Sequence, residues 1–144
     1  MSEHVKVSVE PKGSAADIEV VESGLRAFNV AAIGDAGQEP VNVFLRDESG
    51  QIVGGLIGQI KWRWVYVAIL WVSEVHRGKG HGAALLAAAE EFGRSRGCVG
   101  VHLDTFGYQA RPFYEAQGYQ IFGTLDGYPP GSRHFHLAKR LAEG

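Results

Sequence analysis

Apolar and polar positions along this chain change period several times, and each period predicts an element. Residues 1–11 alternate polar and apolar as a strand does. Ser14 with Asp17 then has the look of a capping box, and Ile18, Val21, Leu25 and Phe28 recur at helical spacing, which predicts an amphipathic helix. The stretch 31–40 is rich in glycine and polar residues without a period, and reads as a loop of some length. Apolar runs at 41–46 and 52–60 flank the turn residues Asp47-Glu48-Ser49-Gly50, the pattern of a hairpin. Residues 62–72 form a long β-branched and aromatic run, expected to be a central strand.

A glycine-rich segment follows, Arg77-Gly78-Lys79-Gly80-His81-Gly82. Strong helix formers then occupy 83–96, with an apolar stripe at Leu85, Ala89 and Phe92 and with Gly97 as the residue that ends the helix. A strand at 99–105 completes a strand-loop-helix-strand crossover over 64–105. Pro112 suits the first turn of a short helix that closes at Gly118, and strands at 119–125 and 134–138 bracket the turn-rich residues 126–131. The order of elements predicts an α/β fold.

The length of 144 residues fits one domain, 1–144, with one core. A formal net charge of -2 provides none of the positive field that phosphate-backbone binding needs, so nucleic acid is not expected as a partner. No run is apolar for the roughly 18 residues of a membrane span, and the N-terminus lacks the charged-then-apolar layout of a signal peptide. With Cys98 alone, no internal disulfide can form. The expected location is the cytoplasm, with Cys98 as a small buried residue opening a strand.

Three glycines at alternate positions, directly after a buried strand and opening a helix, let backbone N–H groups approach an anion without Cβ obstruction. The helix N-terminus adds partial positive charge. A P-loop does not fit, because Gly80 follows Lys79 where serine or threonine is required. Gly78, Gly80 and Ala83 do fit a dinucleotide fingerprint, with Asp104 about twenty residues on; that reading wants two mononucleotide-binding halves, and a hairpin precedes the single crossover. It stays as an alternative, a dinucleotide-dependent oxidoreductase.

Arg77, Gly80 and Gly82 also match Gln/Arg-x-x-Gly-x-Gly/Ala, and Phe113-Tyr114-Glu115-Ala116-Gln117-Gly118-Tyr119 matches Phe-Tyr-Glu-x-x-Gly-Phe/Tyr downstream. On these two segments the chain resembles the GNAT superfamily of acetyl-CoA-dependent N-acetyltransferases, from the hairpin near Val41 to the last strand. The resemblance implies the GNAT fold, a mixed, mostly antiparallel sheet of about six to seven strands flanked by helices. It also implies transfer of acetyl from acetyl-CoA to a primary amine of a small-molecule acceptor, by direct attack in a ternary complex. Backbone amides of Arg77, Gly78, Lys79, Gly80, His81, Gly82 and Ala83 would hold the pyrophosphate. Leu70 and Val72 would pair with the pantetheine arm like an added strand. Tyr114 would assist departure of the thiolate.

An alkyl amine with a pKa of ~10.4 is neutral in only about one molecule in two thousand at pH 7, so a base is required. The strand before the glycine segment carries Tyr66 and Ala68 where several members of the superfamily carry a carboxylate. Glu74, just past that strand, is the first candidate, with His76, His102 and Asp104 behind it. The missing strand carboxylate keeps a second alternative, an acyl-CoA sensor without turnover. Trp62, Trp64 and Tyr66 alternate and are expected on one strand face, and with Phe106 and Tyr128 they are the candidate acceptor walls, suited to an apolar or cationic body. His134 and His136 share a face but lack a third ligand, so no metal is expected. A second copy of the chain is left open as a partner.

Overall fold

Alternation with period two and the 3.6-residue stripe sort the chain as expected over most of its length in the computed structural model, which describes residues 4–141. Contacts divide it into two units, Met1–Asp35 and Ala36–Gly144.

The first unit holds helix α1, Ala15–Ile33. The Ser14 side chain accepts a hydrogen bond from the Asp17 N–H at 3.1 Å, satisfying one of the free amides of the first turn. Gly34, at φ 90°, ends the helix and donates its N–H to the Val30 carbonyl. The expected strand at the N-terminus is not there: residues 4–10 form no ladder, and 1–3 lie outside the described residues. Alternation selects a face only where a neighbouring strand accepts the hydrogen bonds. The expected long loop at 31–40 shrinks from both ends, since α1 runs through Ile33 and the next strand begins at Glu39.

The second unit is a six-stranded sheet: β1 Glu39–Arg46, β2 Ile52–Lys61, β3 Trp64–Val72, β4 Gly100–Phe106, β5 Gln120–Asp126 and β6 Arg133–Arg140, in the order β1-β2-β3-β4-β6-β5. Only β3 and β4 pair in parallel, joined through helix α2, His81–Ser95. Helix α3, Arg111–Ala116, precedes β5. On α2 the buried residues Leu85, Leu86, Ala89, Glu90 and Gly93 follow the helical repeat. Leu85, Leu86 and Ala89 join Leu56, Val65, Val67, Leu103 and Leu137 in the core, each leucine and valine contributing about 1.5–3 kcal/mol on burial. A Cβ on Gly93 would stand 2.8 Å from a Val65 methyl, which is how α2 comes so close to β3.

One buried polar cluster ties α2 to β5 and β6. Lys139 Nζ lies 3.0 Å from Glu90 Oε1, and the Tyr119 hydroxyl donates to Glu90 Oε2 at 2.7 Å. Burial, then the hydrogen bond to Glu90, raises the Tyr119 pKa. Lys139→Met should therefore leave a buried carboxylate without its cation and lower stability by about 3 kcal/mol, read as a lower urea midpoint; an unchanged midpoint would show that the pair is not structural.

The Trp62 expectation needs correction. Trp62 and Arg63 have φ of 46° and 64° and form the two-residue turn between β2 and β3, so Trp62 is not on the strand with Trp64 and Tyr66. Two positive φ values are what a tight hairpin with right-handed strand twist demands, and here that demand outweighs the strand propensity of tryptophan.

The β3 strand carries a second irregularity. Its partner residues on β2 run Ile57 with Ile69, then Gly58 with Val67, so Ala68 has no partner and bulges. Parallel pairing with β4 extends from Trp64↔Gly100 to Val67↔Leu103 and stops there. Past the bulge, residues 69–72 pair only with β2, while β4 continues to Phe106 paired with β6. The sheet opens at its centre.

Candidate active site

The mouth of this opening is built by the glycine segment. After β3, Glu74–His76 make one 3-10 turn, and the Ser73 hydroxyl is 2.7 Å from His76 Nδ1. Arg77 Nε donates to the Val72 carbonyl at 2.8 Å, so the arginine closes the turn with part of its guanidinium. Gly78 and Gly80 have φ of 74° and 82°, a conformation that favours glycine, with open space where a Cβ would sit. Gly80 caps α2 without a side chain, and the first intrahelical bond is from Ala84 N–H to the Gly80 carbonyl. The amides of His81, Gly82 and Ala83 are thus left for another acceptor. Such a cradle fits a pyrophosphate, and the unpaired side of 68–72 fits an extended arm that needs backbone partners.

Helix α3 stands beside the same turn, since a Cβ on Gly82 would meet the Phe113 ring at 3.4 Å. Its Tyr114 is 8% exposed, with the Phe113 and Tyr119 rings at 5.2 and 6.1 Å. Burial first, and the negative charge of Asp104 second, push the Tyr114 pKa up, so the hydroxyl stays protonated across the physiological range.

Asp104 sits on β4, one residue beyond the end of the β3–β4 ladder. Tyr66, from β3, donates its hydroxyl to Asp104 Oδ1 at 2.5 Å. His134, from β6, places Nε2 2.8 Å from Oδ2. Both are diagonal partners across the sheet, Tyr66 standing opposite His102 and His134 opposite Phe106. The hydrogen bond to Asp104, then burial, pushes Tyr66 up to about 12. Burial also lowers the His102 pKa, against the pull of Asp104.

Aromatic rings surround this carboxylate. The Phe106 ring lies 5.0 Å from Tyr128, 4.7 Å from His134 and 5.7 Å from Tyr108, and Tyr128 is 4.9 Å from His134. Of the expected acceptor walls, Tyr66, Phe106 and Tyr128 come together around Asp104 and His134. Trp64 connects to them through His102, at 5.9 Å, and with Trp62 and His102 lines a cleft of about 980 Å³ that also takes in Ile121 and Arg140. Trp64 begins β3, eight residues before the Val72 end that meets the glycine turn. Glu74 is exposed. Sequence reasoning did not find His134 as the partner of Asp104; the signal was the alternation of His134 and His136, whose meaning depends on how β6 registers against β4.

Comparison with known proteins converges on one description. Residues 16–119 match the Acetyltransferase (GNAT) family. A blasticidin-S acetyltransferase of Streptomyces morookaense is 40% identical over 95 residues, covering 65% of this chain and 70% of that one. The crystal structure of an acetyltransferase from Agrobacterium tumefaciens superposes with a TM-score of 0.84 at 33% identity, covering 96% of this chain and 99% of the other. A streptothricin acetyltransferase from Bacillus anthracis, solved with acetyl coenzyme A, has the same fold at 21% identity and a TM-score of 0.65, over 72% of this chain and 63% of that one.

Proposed function

Since the chain belongs to the GNAT acetyltransferase family and is an acyltransferase, we propose that it transfers acetyl from acetyl-CoA to a primary amine of a small molecule, by direct attack in a ternary complex. Residues 1–144 act as one N-acetyltransferase domain in this reading, and the enzyme works in the cytoplasm; no described helix is long and apolar enough to cross a membrane. The observation that carries the reading is the sheet opened past Val67 beside the uncapped glycine turn.

Amides of the 77–83 turn bind the pyrophosphate, and the backbone at Leu70 and Val72 receives the pantetheine arm. These contacts hold the thioester where a second substrate can reach it, replacing a bimolecular encounter by a fixed approach. Tyr114 donates a hydrogen bond to the sulfur as the C–S bond breaks. Full proton transfer from tyrosine (pKa ~10) to thiolate (~8.5) is uphill by about 2 kcal/mol, and the burial of Tyr114 adds to that cost, so donation rather than transfer is its role. Tyr66, Phe106 and Tyr128 form the acceptor wall. The amine proton goes to a carboxylate, and two stand at this end of the sheet, Glu74 in the turn and Asp104 on β4. The relatives named for blasticidin S and streptothricin support a small-molecule acceptor.

The two alternatives from the sequence lose ground. A dinucleotide fold needs further parallel βα units, and every pairing here except β3–β4 is antiparallel. A sensor without turnover is not needed to explain the missing β3 carboxylate, because β4 supplies one at the neighbouring position. Calorimetry should show binding of acetyl-CoA and CoA and none of NAD or ATP. A thiol-release assay with blasticidin S, streptothricin, spermidine, lysine and a short peptide should show turnover with at least one. NAD binding without CoA binding would overturn the proposal.

A further inference from the structure

We propose that the Asp104 carboxylate seats the acceptor's ammonium and takes its proton, an assignment that rests on the N-acetyltransferase reading above. The geometry begins with His134. Its Nε2 faces a carboxylate oxygen, so that nitrogen carries a proton and donates it. Its Nδ1 is buried with no hydrogen-bond partner among the described residues. A proton on that nitrogen would be an N–H buried without an acceptor, which leaves the Nε2 contact to Asp104 as the one hydrogen bond the ring makes among the described residues.

Asp104 is held by two hydrogen-bond donors and by no permanent cation. No lysine or arginine among the described residues pairs with it, in contrast to Glu90, which has Lys139. The Tyr66 hydroxyl and the His134 imidazole fix both oxygens from the strands on either side. The carboxylate still keeps 28% of its side-chain surface open. An oriented carboxylate without a counter-cation, on the sheet face it shares with Tyr66, His102 and Phe106, is a receptor for a cation. The cation has to arrive with the substrate.

The location matches the chemistry. Asp104 lies one residue past the point where β3 and β4 part. The ammonium donates to the carboxylate, and one N–H proton leaves by way of an Asp104 oxygen, which relays it to solvent instead of storing it, because an ordinary carboxylate (pKa ~3.9) does not retain a proton from an amine of ~10.4. The freed lone pair forms the C–N bond at the thioester carbonyl, and the C–S bond breaks with the thiolate held by Tyr114. The remaining surplus proton on nitrogen passes to the thiolate, giving amide and free thiol. The relay to solvent runs through the open edge of Asp104. The Tyr66 hydroxyl and the His134 imidazole position the carboxylate in this step, because both are hydrogen-bonded to it.

The test compares two nucleophiles that differ in charge at pH 7: the fastest alkylammonium acceptor of the panel, and hydroxylamine, which is mostly uncharged and needs neither a seat nor deprotonation. Asp104→Asn should lower kcat/KM by about 10²-fold or more for the ammonium acceptor. Hydroxylamine turnover and CoA affinity should stay within about threefold. Tyr66→Phe, which keeps the ring and frees one carboxylate oxygen, should give the same selectivity with a loss of about tenfold, and provides the answer if Asp104→Asn does not fold. Equal losses with both nucleophiles, or no loss with either, would overturn the assignment. An ammonium-selective loss in Glu74→Gln with none in Asp104→Asn would hand the role to Glu74. A wild-type protein that binds CoA but releases thiol with no acceptor and no hydroxylamine would remove the transferase reading and this inference together.

Discussion

Gly82→Glu is expected to abolish coenzyme A binding while leaving the protein folded. Gly82 is the second residue of α2, where amides left over by the helix face the pyrophosphate in the proposed complex. A carboxylate about 4 Å from a phosphate charge costs roughly 4 kcal/mol at an effective dielectric of 20, or about 10³-fold in affinity. The same carboxylate suits the helix itself, because a negative charge in the first turn interacts favourably with the macrodipole by about 0.3–1 kcal/mol. The new Cβ meets the Phe113 ring at 3.4 Å, an ordinary contact. Stability and binding should therefore move in opposite directions. Calorimetry should lose the CoA isotherm, and the thermal midpoint should hold or rise slightly. Retained CoA affinity would show that the turn is not the pyrophosphate site.

Tyr114→Phe should lower kcat by about 10- to 10³-fold with CoA affinity and folding nearly unchanged. The substitution keeps the ring that packs between Phe113 and Tyr119 and removes only the hydroxyl. If the hydroxyl serves the leaving sulfur, its loss is felt in the transition state and not in ground-state binding. A purely structural hydroxyl gives the opposite result, a lower thermal midpoint with kcat intact. The same variant should respond little to the charge of the nucleophile, which separates its role from that of Asp104.

The sequence showed the site unevenly, and the reason is range. The glycine turn was legible because all its parts are local: a strand end, three alternate glycines and a helix start lie within about ten residues, and the structure adds that Gly78 and Gly80 have positive φ. The hairpin 39–61, the helices and the crossover follow from period alone. What the sequence could not show is register. Asp104, Tyr66 and His134 meet because β3, β4 and β6 lie side by side with a fixed offset, and nothing within one strand encodes the offset of another. Glu74 stood out by nearness along the chain, whereas Asp104 is near through the sheet. Trp62 misled for a related reason, since its alternation with Trp64 continued past the point where the backbone had already turned.

The parting of β3 from β4 has its origin one strand away. Gly58 of β2 faces the Tyr66 carbonyl so closely that a Cβ would stand 2.2 Å from it, at the register step that ejects Ala68. No side chain of any size is compatible with that backbone contact. The width of the donor's slot is thus inherited from a residue with no functional group, on a strand the donor is not proposed to touch. Any side chain at position 58 would press on the β3 backbone at the bulge, so the shape of the opening depends on an atom that is absent from β2.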